Sequence, residues 1–295
     1  MDELAQLVAN GIATGSIIAL GAVGASLVFG VLRIGNFAHG DYVTLGAYVG
    51  ITASLAIGLM LPLAGLVAIV GTALFAVAME FLLFRRLRGK GSASVFIVTI
   101  GLALALRHVL YLLAGSKTYQ YPIDQTVVFD LGLVRLSPGQ LVVIVVAAIT
   151  IPLVSAFLSR SRTGKSMRAV SDNADLAAVS GIEIDRIAVY TWALAGGLAG
   201  LSGVLLAILQ GSFDPEMGWS ILFLIFTAVI LGGIGSPYGA LVGGLTLGLV
   251  MDLATWSALP GGGLDTRFRP ILAFAFLIGL LLVRPQGVFG RARLR

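Results

Sequence analysis

Nine stretches of mostly apolar residues run the length of this chain, and each approaches the ~20 residues that a helix needs to cross the hydrocarbon core of a bilayer. They fall at about 6–32, 41–60, 62–84, 94–114, 139–158, 187–210, 219–234, 239–256 and 270–284. The first is long enough to tilt or bend. The seventh and ninth are short, as expected of broken helices or of segments that stop before the far side. With 58% hydrophobic and only 11% charged residues in 295, the chain is too apolar for an ordinary soluble enzyme or a disordered segment. The predicted fold class is therefore all-α: a polytopic membrane bundle of eight or nine transmembrane helices forming a single domain over 1–295.

The basic residues set the predicted orientation. Threading nine helices places 14 of the 19 Lys and Arg on one side: Arg33, Arg85, Arg86, Arg88, Lys90, Arg160, Arg162, Lys165, Arg168, Arg186, Arg284, Arg291, Arg293 and Arg295. Lys117, Arg135, Arg267 and Arg269 fall on the other, and Arg107 lies inside a helix. Cytoplasmic loops carry the excess of positive charge, which puts the N-terminus outside and the C-terminus inside. The net charge of +5 then reads as topology signal and calls for no nucleic-acid partner. Met1-Asp2-Glu3 lacks the basic start of a cleavable signal, and the apolar run behind it is too long for one. Cysteine is absent, which excludes disulfides and thiol chemistry, and no residue cluster asks for a metal or another cofactor. The two sizeable loops, about 115–138 outside and 159–186 in the cytoplasm, are too short for a catalytic domain.

Glycines four apart (Gly11 and Gly15, Gly46 and Gly50, Gly196 and Gly200, Gly239 and Gly243, Gly244 and Gly248) suit close helix approach in lipid. Few charges lie within the apolar stretches. Arg107 and Asp252 each stand 13 residues from the predicted cytoplasmic start of their helix, ~20 Å along it, so they are expected to pair inside the bundle. Glu80 is expected to reach the inner interface near Arg85. The helices carry no row of acids for a proton relay, no arginine repeat of a voltage sensor and no dense pore ring.

The run Arg33-Ile34-Gly35-Asn36-Phe37-Ala38-His39-Gly40-Asp41-Tyr42 reads as a tight cytoplasmic turn capped by Asn36 and Asp41. A re-entrant turn lining a pathway is the alternative, with Asn36, His39 and Asp41 as lining groups; two ligands such as His39 and Asp41 do not make a metal site. In the 159–186 loop, Gly164-Lys165-Ser166 is the tail of a phosphate-binding loop, but Ser159 replaces the required glycine and a membrane helix stands where a strand should, so nucleotide binding is rejected. Residues 168–179 read instead as a short amphipathic surface helix with Ala169, Leu176 and Ala177 as its apolar edge, ended by Gly181. Such an element suits docking into a partner's groove.

Several of these stretches together resemble the permease subunits of ABC importers for branched-chain amino acids, and more closely the shorter of the two permease types. They are Asn10-Gly11-Ile12-Ala13-Thr14-Gly15-Ser16, Gly35-Asn36-Phe37-Ala38-His39-Gly40-Asp41, Arg162-Thr163-Gly164-Lys165-Ser166-Met167-Arg168-Ala169, Leu231-Gly232-Gly233-Ile234-Gly235-Ser236-Pro237-Tyr238-Gly239-Ala240 and Arg284-Pro285-Gln286-Gly287. The resemblance implies a bacterial inner-membrane protein that shares a translocation pathway with a second permease. Two cytoplasmic ATPases would drive it and an external binding protein would load it. It also implies coupling through a Glu-Ala-Ala-x-x-x-Gly pattern, met here in degenerate form by Asp175, Leu176, Ala177 and Gly181, with Arg168 and Asp172 on the same loop. The same family includes importers of urea and short-chain amides, which leaves the solute open. A stand-alone secondary transporter or channel is the competing class. An intramembrane enzyme lacks a visible constellation.

Overall fold

The computed structural model of the chain describes residues 3–123, 127–130, 132–257, 263–284 and 287–289. Every predicted apolar stretch contains a helix. The helices are α1 (Glu3–Leu32), α2 (His39–Ala56), α3 (Leu61–Leu87), α4 (Ser92–Ala114), α5 (Pro138–Arg160), α6 (Arg162–Asp172), α7 (Ala174–Val179), α8 (Ile184–Gln210), α9 (Met217–Gly232), α10 (Pro237–Leu253) and α11 (Arg269–Val283). Local chemistry sets several starts. Ser137 and Gln140 form a reciprocal capping box at α5, and Ser161, Asn173 and Ser236 each accept an amide of the first turn of α6, α7 and α10.

Among the described residues, α1, α3, α4, α5 and α8 are each long and apolar enough to cross a membrane. Their surroundings differ. The apolar windows of α1 and α8 are 89% and 83% buried, whereas those of α3, α4 and α5 are 22–28% buried. Thus α1 and α8 form the centre, and the other three turn apolar faces outward, where lipid or another chain can cover them at little cost. Helices α9 and α10 meet at a 120° bend at residues 233–236, and α11 has 15 residues, ~22 Å of helix. The expectation that the seventh and ninth stretches depart from simple spans thus agrees with the architecture.

Glycine lets the central helices touch backbone to backbone. A Cβ at Gly244 would lie 2.5 Å from the Ala19 Cα, and one at Gly248 would collide with the Gly15 backbone, so α10 lies directly against α1. Gly46 and Gly200 bring α2 onto α8 in the same way. Large side chains fill what remains: Trp192 of α8 stacks on Phe84 of α3 at 4.3 Å, and Tyr42 packs edge-on to Phe75 at 5.3 Å. Phe84 closes a π-helical turn, Glu80–Phe84, near the end of α3.

The loops sort to the two ends of α1. At its N-terminal end, Glu3 accepts from the Ser257 amide and Gln6 bonds the backbone of Arg135. A two-residue hairpin lies at this end (β1, Phe129–Asp130, and β2, Arg135–Leu136), paired antiparallel with Phe129 opposite Leu136. At the C-terminal end, Arg33 donates to the Ser171 carbonyl of the 159–186 loop at 3.2 Å.

Candidate functional site

The turn after α1 departs from the expectation of a cytoplasmic loop. Residues 33–38 run back into the bundle, and α2 begins in its interior. The ring Nε2 of His39 lies 2.9 Å from the Gly21 carbonyl oxygen, 11 residues before the end of α1 and therefore ~16 Å along it. Ile34, Asn36, Ala38, His39 and Asp41 are all buried. Asp41, expected to cap the start of α2, does not do so, and Asn36 is held in a turn of its own. Its Oδ1 accepts the Ala38 amide at 3.1 Å in a local turn, and α2 starts without a side-chain cap. His39 and Asp41 do not pair with each other, and no group of three metal-ligating side chains occurs among the described residues.

Asp41 pairs instead with Arg107 of α4. The guanidinium Nε and Nη2 donate to the two carboxylate oxygens at 3.0 and 3.2 Å. The Asp41 side chain is fully buried and that of Arg107 is 10% exposed. The predicted Arg107–Asp252 pair is therefore corrected: Asp252 of α10 is matched by Arg269 at the start of α11, 2.9 Å away. Equal depth failed as a guide because α2 begins midway through the bundle, which lifts Asp41 to the level of Arg107.

A second helix start meets the first. Gly218, in the first turn of α9, donates its amide to Thr44 Oγ1 of α2 at 2.9 Å and lies against the backbone of Gly40. Trp219 then covers Arg107, with the guanidinium carbon 4.9 Å from the ring centroid, a cation–π geometry. Trp219 packs edge-on to Phe223, which meets Phe274 of α11. These three rings are 38–40% exposed, so the charged pair sits just behind an aromatic surface. Sequence reasoning missed Trp219 and Thr44. The one available signal was Gly218 just after the polar run Asp214-Pro215-Glu216 between apolar stretches.

At the other end, the predicted single helix over 168–179 is two helices. Asn173 is extended, and its side chain accepts the Leu176 amide at 3.0 Å, which ends α6 and starts α7. A capping side chain inside a helical run competes with the backbone ladder in this way. Gly181 terminates α7 at φ +86°, a left-handed conformation that glycine adopts freely. Ala177 is buried beneath α7, while Asp175, Leu176 and Val179 are exposed, the last two by 62% and 82%. Ala169 is half-buried, and Arg168 is exposed and donates to the Ser159 carbonyl. Asp172 is exposed at the end of α6. Gly164, expected to be unable to serve a phosphate loop, lies buried in the first helical turn against the backbone of Phe157 and Leu158.

Helix α6 also walls a cavity of about 570 Å³ that Ser26, Gly30, Met167, Ser171, Ser236 and Tyr238 help to line. Elsewhere, Arg88 reaches both the buried Glu80 of the π-helical turn and Asp185 in the first turn of α8, and Arg85 joins Asp185 at 2.6 Å. Glu80 thus meets Arg88, one turn beyond the Arg85 expected.

Residues 7–284 match the family described as branched-chain amino acid transport system / permease component. The chain is 32% identical to the high-affinity branched-chain amino acid transport system permease protein LivH of Escherichia coli, over 97% of this chain and 95% of that protein. It is 33% identical to the corresponding permease protein BraD of Pseudomonas aeruginosa, over 98% and 96%. In fold it resembles a chain in the structure of PsaBC from Streptococcus pneumoniae in complex with Fab, with a TM-score of 0.54 at 16% identity, over 98% of this chain and 94% of that one.

Proposed function

The chain belongs to the permease-component family of branched-chain amino acid transport systems, and from that membership we propose that it is one transmembrane subunit of an ATP-driven importer in a bacterial inner membrane. Branched-chain amino acids are its solutes in this reading. A second permease completes the pathway, an external binding protein delivers the solute, and two cytoplasmic ATPases supply the work. The N-terminus faces outward and the C-terminus inward.

The observation that carries the reading is the construction of α6 and α7. Helix α7 presents Asp175, Leu176 and Val179 to solvent and is fixed to the body through Ala177 and the Gly181 stop. Directly before it, α6 walls the cavity near the end of α1. A push on α7 therefore reaches a surface that lines the bundle interior. Exposed apolar side chains on a short amphipathic helix suit a groove on a partner. In this scheme ATP binding closes the ATPases, α7 and α6 move together, and the bundle opens outward; hydrolysis resets it. Arg168, Asp172, Asp175, Ala177 and Gly181 form or hold the docking element.

Reconstitution with the partner subunits tests this. Leucine uptake into proteoliposomes requires ATP on the α7 side. Gly181→Trp and Asp175→Arg impair uptake or ATPase docking. Normal transport with normal assembly in both variants refutes the coupling role, and uptake by this chain alone under an ion gradient refutes the importer.

A further inference from the structure

We propose that the cavity between α1, α6 and the bend joining α9 to α10 holds the phosphodiester headgroup of an anionic glycerophospholipid taken from the surrounding bilayer. The site goes beyond the importer reading and needs only that the bundle sits in a membrane.

The cavity measures about 570 Å³, within the ~300–1,000 Å³ range of small-ligand sites. Gly30 of α1 lies against the backbone of Gly235 in the bend, which closes one side. Arg33 and Arg168 line the cavity and are exposed at its rim. Each gives Nη2 to a backbone carbonyl, that of Ser171 or Ser159, and a guanidinium carries five N–H donors. Asp172 lines the cavity too, so its wall holds two cations and one anion. The start of α10, a 17-residue helix, supplies Ser236, Pro237 and Tyr238, which brings the positive end of a helix dipole to the same space. Two features call for a ligand. Arg33 is the one non-glycine residue with positive φ (+59°) among the described residues; glycine would hold that backbone at less cost, so an arginine stands where the backbone disfavours it. Ser26 of α1 also lines the cavity, is 0% exposed, and its Oγ has no hydrogen-bond partner among the described residues. A buried hydroxyl left unmatched carries the cost of its desolvation, and a ligand oxygen would remove that cost.

The groups are stacked in the order of a glycerophospholipid. Arg33 follows the last residue of α1, and Ser26 stands seven residues earlier, ~10 Å along the helix. A lipid places its phosphate at the membrane surface, its ester carbonyls below that and its hydrocarbon deepest. Its phosphate meets Arg33 and Arg168, and an ester carbonyl accepts from Ser26 Oγ. The acyl chains leave past Ile234, Tyr238 and Phe289, which line the cavity and are 53%, 37% and 50% exposed. Tyr238 also donates to the Ser155 carbonyl of α5 at 3.2 Å, and α5 turns most of its apolar surface outward, so this exit opens where lipid lies. Inorganic phosphate shares the chemistry of the headgroup but is too short to reach both the arginines and Ser26. Basic pockets between membrane helices on the cytoplasmic side recognise anionic headgroups, and the end of α1 that carries Arg33 is that side in the orientation above.

The test titrates the purified full chain in detergent micelles with phosphatidylglycerol or with phosphatidylcholine of the same acyl chains, read by native mass spectrometry. Phosphatidylglycerol should bind ~fivefold or more tightly than phosphatidylcholine, about the worth of one net hydrogen bond. Arg33→Gln combined with Arg168→Gln should remove that preference. Arg86→Gln combined with Lys90→Gln, at exposed basic residues outside the cavity, should keep it. Ser26→Ala removes no charge and should weaken both lipids roughly three- to tenfold, because both carry the ester. Excess inorganic phosphate should displace neither. Equal binding of the two lipids by the wild-type chain overturns the proposal on its own, as does an undiminished preference in the arginine double variant. Displacement by inorganic phosphate overturns it in favour of a free-anion site. Loss of the bound lipid on assembly with the ATPases assigns the cavity to a protein contact and overturns it as well. The importer reading survives each of these results and falls only if the assembled complex shows no ATP-driven leucine uptake.

Discussion

The seam between α1 and α10 offers a quantitative test of the packing logic. At Gly248 an added Cβ meets the N and Cα of Gly15 and the carbonyl oxygen of Gly11. All three are backbone atoms, so no rotamer change can relieve the clash and the helices must part. Overpacking of this kind costs ~1–3 kcal/mol, and separating the axes weakens dispersion along the rest of the seam. Replacing glycine in a helix by alanine returns ~0.8–1 kcal/mol of propensity. Gly248→Ala is therefore expected to fall between neutral and ~2 kcal/mol destabilising. Gly248→Val, larger and β-branched, is expected to lose ~2–3 kcal/mol. Gly65 on α3 is the control, because a Cβ there meets nothing within 4 Å. Gly65→Ala should be neutral or gain up to ~1 kcal/mol. Unfolding of the purified chain in mixed micelles, titrated with sodium dodecyl sulfate, measures all three. A Gly248→Val variant as stable as wild type would refute the claim that α10 packs backbone to backbone on α1.

Removing Arg88 leaves Glu80 buried without its cation, so Arg88→Met should destabilise by ~1–3 kcal/mol, discounted for the partial exposure of Arg88; Glu80→Gln on the same background should recover most of it in a double-mutant cycle. Asn173→Ala removes the cap of α7 and should cost ~1 kcal/mol, read locally as faster amide exchange over 174–179 with little change in α8. The Gly132 amide and Arg135 hold the Asp130 carboxyl below its ordinary value of 3.8, so the hairpin is braced at neutral pH and loosens as pH falls below that value; protection of the Gly132 amide, taken relative to its intrinsic exchange rate at each pH, should fall in acid, and in Asp130→Asn should lose that pH dependence. The chain has no cysteine, so Ser180→Cys gives a single label site; an impermeant maleimide should reach it only from the cytoplasmic face, and labelling from outside would invert the orientation.

Hydrophobic run length made the helices legible, whereas the capping roles of Ser137 and Asn173 are seen only in the structure. The glycine pairs were legible as close-approach sites, although a spacing of four residues does not name the helix that approaches. Gly11 and Gly15 find Gly248, Gly46 finds Gly200, and Gly196 meets the α3 backbone at Thr72 and Ala73. The exposed surface helix was legible in outline from its polar face and Gly181, but its break at Asn173 was hidden inside a run of good helix formers.

Hydropathy alone settled that this chain folds as helices in lipid, because unpaired backbone groups cannot persist there and only regular helices satisfy them within a local stretch. Which charges meet was decided in three dimensions. Threading assumes that every helix starts at a membrane face; α2 does not, and that one departure transfers Arg107 from Asp252 to Asp41 and brings Trp219 over it. Sequence fixes the distance of a residue along its own helix, whereas contact depends on where each helix begins and how it is rotated, and only the packing of all of them supplies those quantities.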